Sequence, residues 1–114
     1  MQQPADFLTL TENYASFATS FIETSAGIPN TLCHIIPLSV FLYTASGSPF
    51  FLYLAFQHTH HPQFSGKSFT NTTIRGMFGD AITEMDWAVG QVVQTLKSSK
   101  VDTNTFLFFT ADNG

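Results

Sequence analysis

The stretch FFLYLAFQHTHH, residues 50 to 61, joins an apolar run to three of the four histidines of the chain. The run over residues 50–56 contains no charged side chain and is bounded by Ser48-Pro49 on one side and Gln57-His58 on the other. Continuous rather than alternating apolarity is typical of a strand that is covered on both faces, as in a parallel sheet. We therefore predict a buried strand over residues 50–56, with the histidines at its carboxyl end.

A second apolar run, residues 105–110, follows the clearest helical pattern of the chain. Three acids, Asp80, Glu84 and Asp86, stand near the start of this helix, where they would complement its partial positive charge. Strand, loop, helix and strand predict a βαβ unit with a right-handed crossover, part of a mostly parallel sheet in an α/β fold. The helix is predicted over residues 79–98, with an apolar face at Phe78, Ala81, Ile82, Met85, Val89, Val92, Val93 and Leu96.

An amphipathic helix is also predicted before the first strand, over residues 9–25. Thr9 and Glu12 have the spacing of a capping box, and Gly27 with Pro29 ends the pattern. The apolar stripe has the helical spacing of i, i+3, i+4, i+7 and i+8, at Tyr14, Phe17, Ala18, Phe21 and Ile22.

Composition excludes several classes of function. The 114 residues suit one domain at most, and 13 phenylalanines indicate extensive burial. The net charge of −4 and the absence of a basic stripe argue against nucleic-acid binding. The stretch over residues 32–56 is apolar, but His34, Pro37 and Pro49 leave no piece of the about 20 residues that a membrane span needs.

Polar side chains follow both predicted strands, so the βαβ unit would bring His60 and Asp112 to one edge of the sheet. The carboxylate of Asp112 and the amide oxygen of Asn113 are hard ligands that suit Ca²⁺ or Mg²⁺, although Asp-Asn-Gly is also a common turn. The histidines could form a transition-metal cluster, act in catalysis or mark the end of a strand. Alternation along an extended exit would point His58 and His60 to one side and His61 to the other.

Three motifs together resemble the sulfatases, specifically the arylsulfatase branch. They are PFFLYLAFQHTHHPQFSGKSF, RGMFGDAITEMDWAVGQVVQTL and FLFFTADNG, and they extend from about residue 48 to residue 114. The resemblance implies an alkaline-phosphatase-like α/β fold, of which residues 1–114 would be one fragment of the catalytic domain. It also implies the hydrolysis of sulfate esters, with a formylglycine nucleophile made from a cysteine in a C-x-P-S-R sequence.

The resemblance assigns roles by position. His60 matches the active-site histidine that contacts the sulfate group and assists the leaving oxygen. Asp112 and Asn113 match two ligands of a divalent metal ion, usually calcium. It gives no role to His58 or His61, which we expect to be loop and packing residues.

Other elements of the family site do not occur in the chain. Cys33 stands in LCHIIPLS, which lacks the Pro and the Ser-Arg of the formylglycine sequence, and no Asp-Asp pair is present. Lys67 matches no catalytic position. We therefore expect the isolated chain to be inactive. Residues 27–46 interrupt the family pattern before the first strand, and we hypothesise that they are an insertion.

Two other classes of function remain open. One is a non-catalytic truncated isoform that acts as a binding module, and the other is a phosphodiesterase or phosphomutase of the same superfold, which the histidine loop disfavours. The isolated chain is expected to self-associate, because two helices cannot cover two buried strands. The family and the sequon at Asn71 suggest a glycoprotein of the secretory route, lysosomal or extracellular.

Overall fold

The computed structural model describes residues 6–27 and 49–111. In these ranges the chain forms two α-helices, α1 (Leu10–Ser25) and α2 (Gly76–Ser98), which pack against each other, and a short 3₁₀ turn, Asp102–Asn104. Both predicted helices are confirmed, although α2 begins three residues earlier than expected. No helix in the described ranges combines the length and the apolarity that a bilayer crossing requires. The predicted insertion at residues 27–46 lies, apart from Gly27, outside the described residues.

Helix α1 buries one narrow stripe of small residues. Ala15, Ala18 and Ile22 are at most 3% exposed, and their i, i+3 and i+7 spacing puts them on one side of the helix. The aromatic rings beside this stripe are only half-buried, and they contact the segment that precedes the histidines: Tyr14 meets Phe56 edge-on with ring centroids 6.1 Å apart, and Phe21 meets Phe50 at 5.8 Å. Helix α1 therefore holds residues 50–56 in place.

The predicted capping box at the start of α1 is wrong. The Thr9 side chain makes no cap hydrogen bond to the helix, and its hydroxyl donates instead to Asp6 Oδ2 at 3.2 Å. Asp6 also accepts the N–H of Leu8 at 3.0 Å through Oδ1. The Thr9 hydroxyl is thus engaged in the turn before the helix and does not accept a hydrogen bond from the first helical N–H groups.

The face that helix α2 buries overlaps only partly with the one predicted. Ala81, Ala88 and Leu96 are buried, but Phe78 is 43% and Ile82 39% exposed. The contacts of α2 with α1 and with the polar loop determine which face is buried. This face is rotated away from the centre of the apolar stripe. Because the helix begins at Gly76, its first turn contains no acid, and the proposed interaction of acids with the helix N-terminus is wrong.

Neither predicted strand is paired in a ladder within the described ranges, so the βαβ unit is not formed there. Residues 50–56 still alternate between half-buried and exposed positions, as an extended chain does when one face packs on a helix. Phe51 and Tyr53 on the other face are 85% and 79% exposed. A strand requires a neighbour to accept its backbone hydrogen bonds, and α1 supplies only side chains. The sheet of the α/β fold therefore remains a prediction.

Candidate active site

The histidine loop, residues 57–66, begins where the segment packed on α1 ends. Its first turn is closed by the N–H of His60, which donates to the carbonyl of Gln57 at 3.2 Å. Its end is closed by a second turn, in which the carbonyl of Gly66 accepts the N–H groups of Phe69 and Thr70 at 3.0 and 3.1 Å. Two tight turns thus bound the segment that carries His60.

His60 is exposed, and one of its ring nitrogens is engaged. Nδ1 lies 2.7 Å from the carbonyl oxygen of His61. A carbonyl only accepts, so Nδ1 carries a hydrogen and the neutral ring has its lone pair on Nε2. No residue in the described ranges bonds to Nε2. The Nε2 lone pair of this exposed ring is therefore available to accept a proton.

His58 lies two residues earlier, and its side chain is fully buried whereas His60 is exposed, so the prediction that the two share a side is wrong. Its Nε2 is 2.9 Å from the Thr11 hydroxyl on α1 and 3.5 Å from Glu84 Oε2 on α2. Aromatic rings enclose the imidazole, with Phe64 centred 4.8 Å and Phe56 5.9 Å away. Through its contacts with Thr11 and Glu84, the buried His58 side chain joins the loop to both helices.

Glu84 is the carboxylate of this buried cluster and is 1% exposed. Its Oε2 accepts the N–H of Gly66 at 3.0 Å. A Cβ on Gly66 would stand 2.9 Å from Glu84 Oε1 and 3.1 Å from the carbonyl oxygen of Leu8. The close approach of the loop to Glu84 therefore favours glycine at position 66.

Asp80, one turn before Glu84 on α2, holds the next turn of the chain. Its carboxylate accepts the backbone N–H groups of Asn71, Thr72 and Thr73 at 2.7, 3.1 and 2.9 Å. Burial, the largest single influence, would raise the pKa of Asp80. The hydrogen bonds from Asn71, Thr73 and Thr72 together outweigh it and hold the pKa below its ordinary value of 3.8.

The predicted glycosylation residue, Asn71, lies in this turn. Its side chain is exposed, and its φ of 58° lies in the left-handed region, which asparagine tolerates better than most residues. The predicted metal ligands, Asp112 and Asn113, lie outside the described residues. In the described ranges, no three His, Cys, Asp or Glu side chains are grouped so that they could hold a metal ion.

Thr11 and Glu84 support the histidine loop at His58 and Gly66, and Asp80 supports the following turn at residues 71–73; none of these three roles was predicted from the sequence. A signal was present: the two acids are spaced i and i+4, and the same row continues to the buried Ala88. Acids in line with buried alanines indicate a buried role rather than a solvated helix start.

Comparison with known proteins assigns the chain to a family. A protein-family model described as Sulfatase matches residues 36–114, well over half of the chain. The chain belongs to the sulfatase family. The three motifs identified from the sequence lie within this match, and so does His60.

Individual sulfatases match at substantial identity. Bovine arylsulfatase A is 52% identical over 68 residues, which are 60% of this chain and 13% of that protein. Rat N-acetylgalactosamine-6-sulfatase is 47% identical over 70 residues, 61% of this chain and 13% of that protein. Rat steryl-sulfatase is 34% identical over 113 residues, 99% of this chain and 16% of that protein. The chain thus spans less than a fifth of the length of these relatives, and no solved structure matches it.

Proposed function

We propose that this chain contributes the acid/base residue and part of the metal site of an arylsulfatase-type sulfuric ester hydrolase. The observation that carries the proposal is the arrangement of His60: an exposed imidazole whose Nδ1 is held by the His61 carbonyl and whose Nε2 is free among the described residues. Membership of the sulfatase family supports the reaction class.

His60 would act as a general acid. A nucleophile from the rest of the catalytic domain would form the new bond to sulfur as the bond to the leaving oxygen breaks. The electron pair of the broken bond stays on the leaving oxygen, and the Nε2–H of protonated His60 supplies its proton. The ring then becomes the neutral Nδ1–H tautomer, which the bond to the His61 carbonyl already favours. No tautomer change is needed between cycles, because the same nitrogen gives and regains the proton.

Asp112 and Asn113 would hold a divalent cation, with Ca²⁺ as the first choice. A carboxylate and an amide oxygen are the donors that hard cations prefer. When bound, the cation supplies positive charge against which the sulfate oxygens are stabilised. Calcium takes six to eight oxygen ligands, so two residues make only part of a site. We therefore propose that these 114 residues alone bind Ca²⁺ weakly.

The formylglycine of the family does not fit the residues present. Cys33, the single cysteine, lacks the C-x-P-S-R context. We therefore propose that the 114 residues alone do not turn over sulfate esters. The natural substrate is then a sulfate ester bound by a larger catalytic domain.

We further propose a secretory location, lysosomal or extracellular, with N-glycosylation at Asn71. The support is the family and the exposure of Asn71 on a turn, where an attached glycan would extend into solvent. An alternative role is a non-catalytic isoform that binds other chains. The exposed aromatic side chains favour it, because they provide a surface for association.

A segment exchange tests the proposal. The part of bovine arylsulfatase A that corresponds to residues 48–114 is replaced by these residues, so that His60, Asp112 and Asn113 meet a complete site. Hydrolysis of an aryl sulfate is then assayed, with the Asp112→Ala exchange as a variant. We expect the hybrid to be active and to lose activity on that substitution.

Two results would contradict the proposal. A folded hybrid without hydrolysis would show that these residues cannot serve a sulfatase site. Full activity of the Asp112→Ala hybrid would remove Asp112 from the metal site. The parent enzyme with the matching substitution is the control, because it shows the loss expected of a genuine ligand.

A further inference from the structure

Glu84 is a buried ionisable group that the mechanism above does not use. It is 1% exposed, and a carboxylate in such a place costs stability unless it is hydrogen-bonded. Its Oε2 accepts the Gly66 N–H at 3.0 Å and lies 3.5 Å from His58 Nε2, while Oε1 has no partner in the described ranges. All its polar contacts in these ranges therefore go to the histidine loop.

The two contacts of Glu84 lie on either side of His60. His58 precedes His60 and Gly66 ends the loop, so a single carboxylate oxygen holds the chain both before and after the exposed histidine. Thr11 of α1 adds a second bond to His58 at 2.9 Å. The loop is thus attached to both helices at its start and to α2 at its end.

The hydrogen positions on His58 agree with this arrangement. Its Nδ1 is buried and without a partner in the described ranges, so a hydrogen there would be an unsatisfied donor. The hydrogen therefore belongs on Nε2, which shares it between two acceptors, the Thr11 hydroxyl oxygen at 2.9 Å and Glu84 Oε2 at 3.5 Å. Both groups that face Glu84 Oε2, the His58 Nε2–H and the Gly66 N–H, are then donors toward one acceptor.

We propose that Glu84 is a positioning residue: it holds the histidine loop at His58 and at Gly66 and so fixes where His60 stands. This inference rests on the proposed function insofar as His60 acts on the substrate. The anchoring itself is a property of the loop, and it can be measured without any turnover.

Hydrogen exchange followed by mass spectrometry tests the anchoring on the whole 114-residue chain. Glu84→Ala removes both contacts, and we expect the amides of residues 57–66 to exchange about tenfold faster or more, as for the loss of a bond to a charged acceptor. Glu84→Gln keeps an acceptor oxygen but loses the charge, so its effect should be smaller. Asp86→Asn, at an exposed position of the same helix, should change nothing in the loop.

The reactivity of His60 gives a readout that a general loss of stability would not reproduce. Diethyl pyrocarbonate modifies neutral imidazoles, and the neighbouring His61, also exposed, serves as an internal reference. Because the held loop keeps the His60 Nδ1 on the His61 carbonyl, the two histidines should react at different rates. Glu84→Ala should bring the ratio of the two rates toward one, and Asp86→Asn should leave it unchanged.

Unchanged loop exchange in Glu84→Ala would overturn the proposal, and so would equal acceleration in the loop and in α2 over residues 88–96. If Glu84→Ala fails to fold, Glu84→Gln is used in its place. The proposal would be overturned if the loop of Glu84→Gln matched wild type both in amide exchange and in the ratio of the His60 and His61 modification rates. Faster exchange confined to the loop would support the anchoring whatever the function. If, in addition, the His60→Ala variant of the hybrid enzyme were fully active, the proposed function would be overturned and the anchoring would stand.

Discussion

At the scale of single residues, Asp80 and His58 are the polar side chains that tie the chain after residues 50–56 to the helices. The polar loop after residues 50–56 is predictable, because Pro62 and Gly66 are strong loop signals. The burial of His58 is not predictable, since it depends on Thr11 and Glu84, which are distant in sequence and adjacent only after the helices pack. Acids on a helix are usually solvated. The role of Asp80 becomes evident only in the folded chain, where its carboxylate accepts the backbone N–H groups of residues 71–73.

Substitution of Asp80 should destabilise the chain in a pH-dependent way. The folded-state pKa of Asp80 lies below its ordinary value of 3.8, so the ionised carboxylate stabilises the fold above that pH and the contribution is lost as the pH falls through the lower folded value. Urea unfolding should therefore show Asp80→Asn less stable than wild type at neutral pH, with the gap closing in acid.

Asp86→Asn is the matched control for this prediction, because Asp86 is exposed on the same helix. It should be close to wild type throughout the pH range. A gap between Asp80→Asn and wild type that stays constant down to the most acidic pH would contradict a role for the ionised carboxylate.

Helices and strands differ in how far the sequence determines them. Helices α1 and α2 satisfy their backbone groups within themselves, so periodicity and breakers suffice to predict them to within a few residues. A strand needs a partner, and the apolar runs at residues 50–56 and 105–110 are unpaired in the described ranges. Family membership, rather than the structure, supports a sheet here. The rotation of the buried face of α2 arises from α1 and the loop, which a single-helix pattern cannot show.

Gly66 in the loop and Gly90 in α2 should respond to alanine in opposite directions. A Cβ added to Gly90 would have no other atom within 4 Å outside its own stretch of helix, so Gly90→Ala should stabilise the chain by about 0.5–1 kcal/mol. Gly66→Ala would push against Glu84 and the carbonyl of Leu8 and should destabilise it by about 1–3 kcal/mol.

Urea unfolding of the two variants at one protein concentration measures both effects. Stabilisation by Gly66→Ala would show that the loop does not approach Glu84 as closely as described. Destabilisation by Gly90→Ala would mean that another group covers that face of α2.

At the scale of the whole molecule, the ranges 6–27 and 49–111 expose much apolar surface. Phe51, Tyr53, Phe106 and Phe108 are between 73% and 88% exposed, and the last two stack on each other at 6.4 Å. Patches of this kind are unusual on soluble monomers and promote association. The composition favours this outcome, because 13 phenylalanines in 114 residues need extensive coverage, and several of those in the described ranges lack it.

The isolated chain should therefore self-associate, and sedimentation velocity should show assemblies larger than 12.6 kDa. Phe106→Ser combined with Phe108→Ser should shift the distribution toward the monomer, because both rings are solvent-facing and their loss removes apolar surface without opening a core. Ile74→Ser, at a separate and fully exposed position, is the control for a general gain in polarity. A cooperative, monomeric wild-type chain would contradict this expectation.

If His60 donates the proton to the leaving oxygen, the cost of removing its imidazole must depend on how basic that oxygen is. In the hybrid of arylsulfatase A that carries residues 48–114, His60→Ala should lower kcat by about 10²–10⁴-fold for phenyl sulfate, whose leaving oxygen needs a proton. The loss should be much smaller for para-nitrophenyl sulfate, and His61→Ala should be nearly normal with both. An equal loss of kcat with both esters, or no loss with either, would show that His60 does not protonate the leaving oxygen.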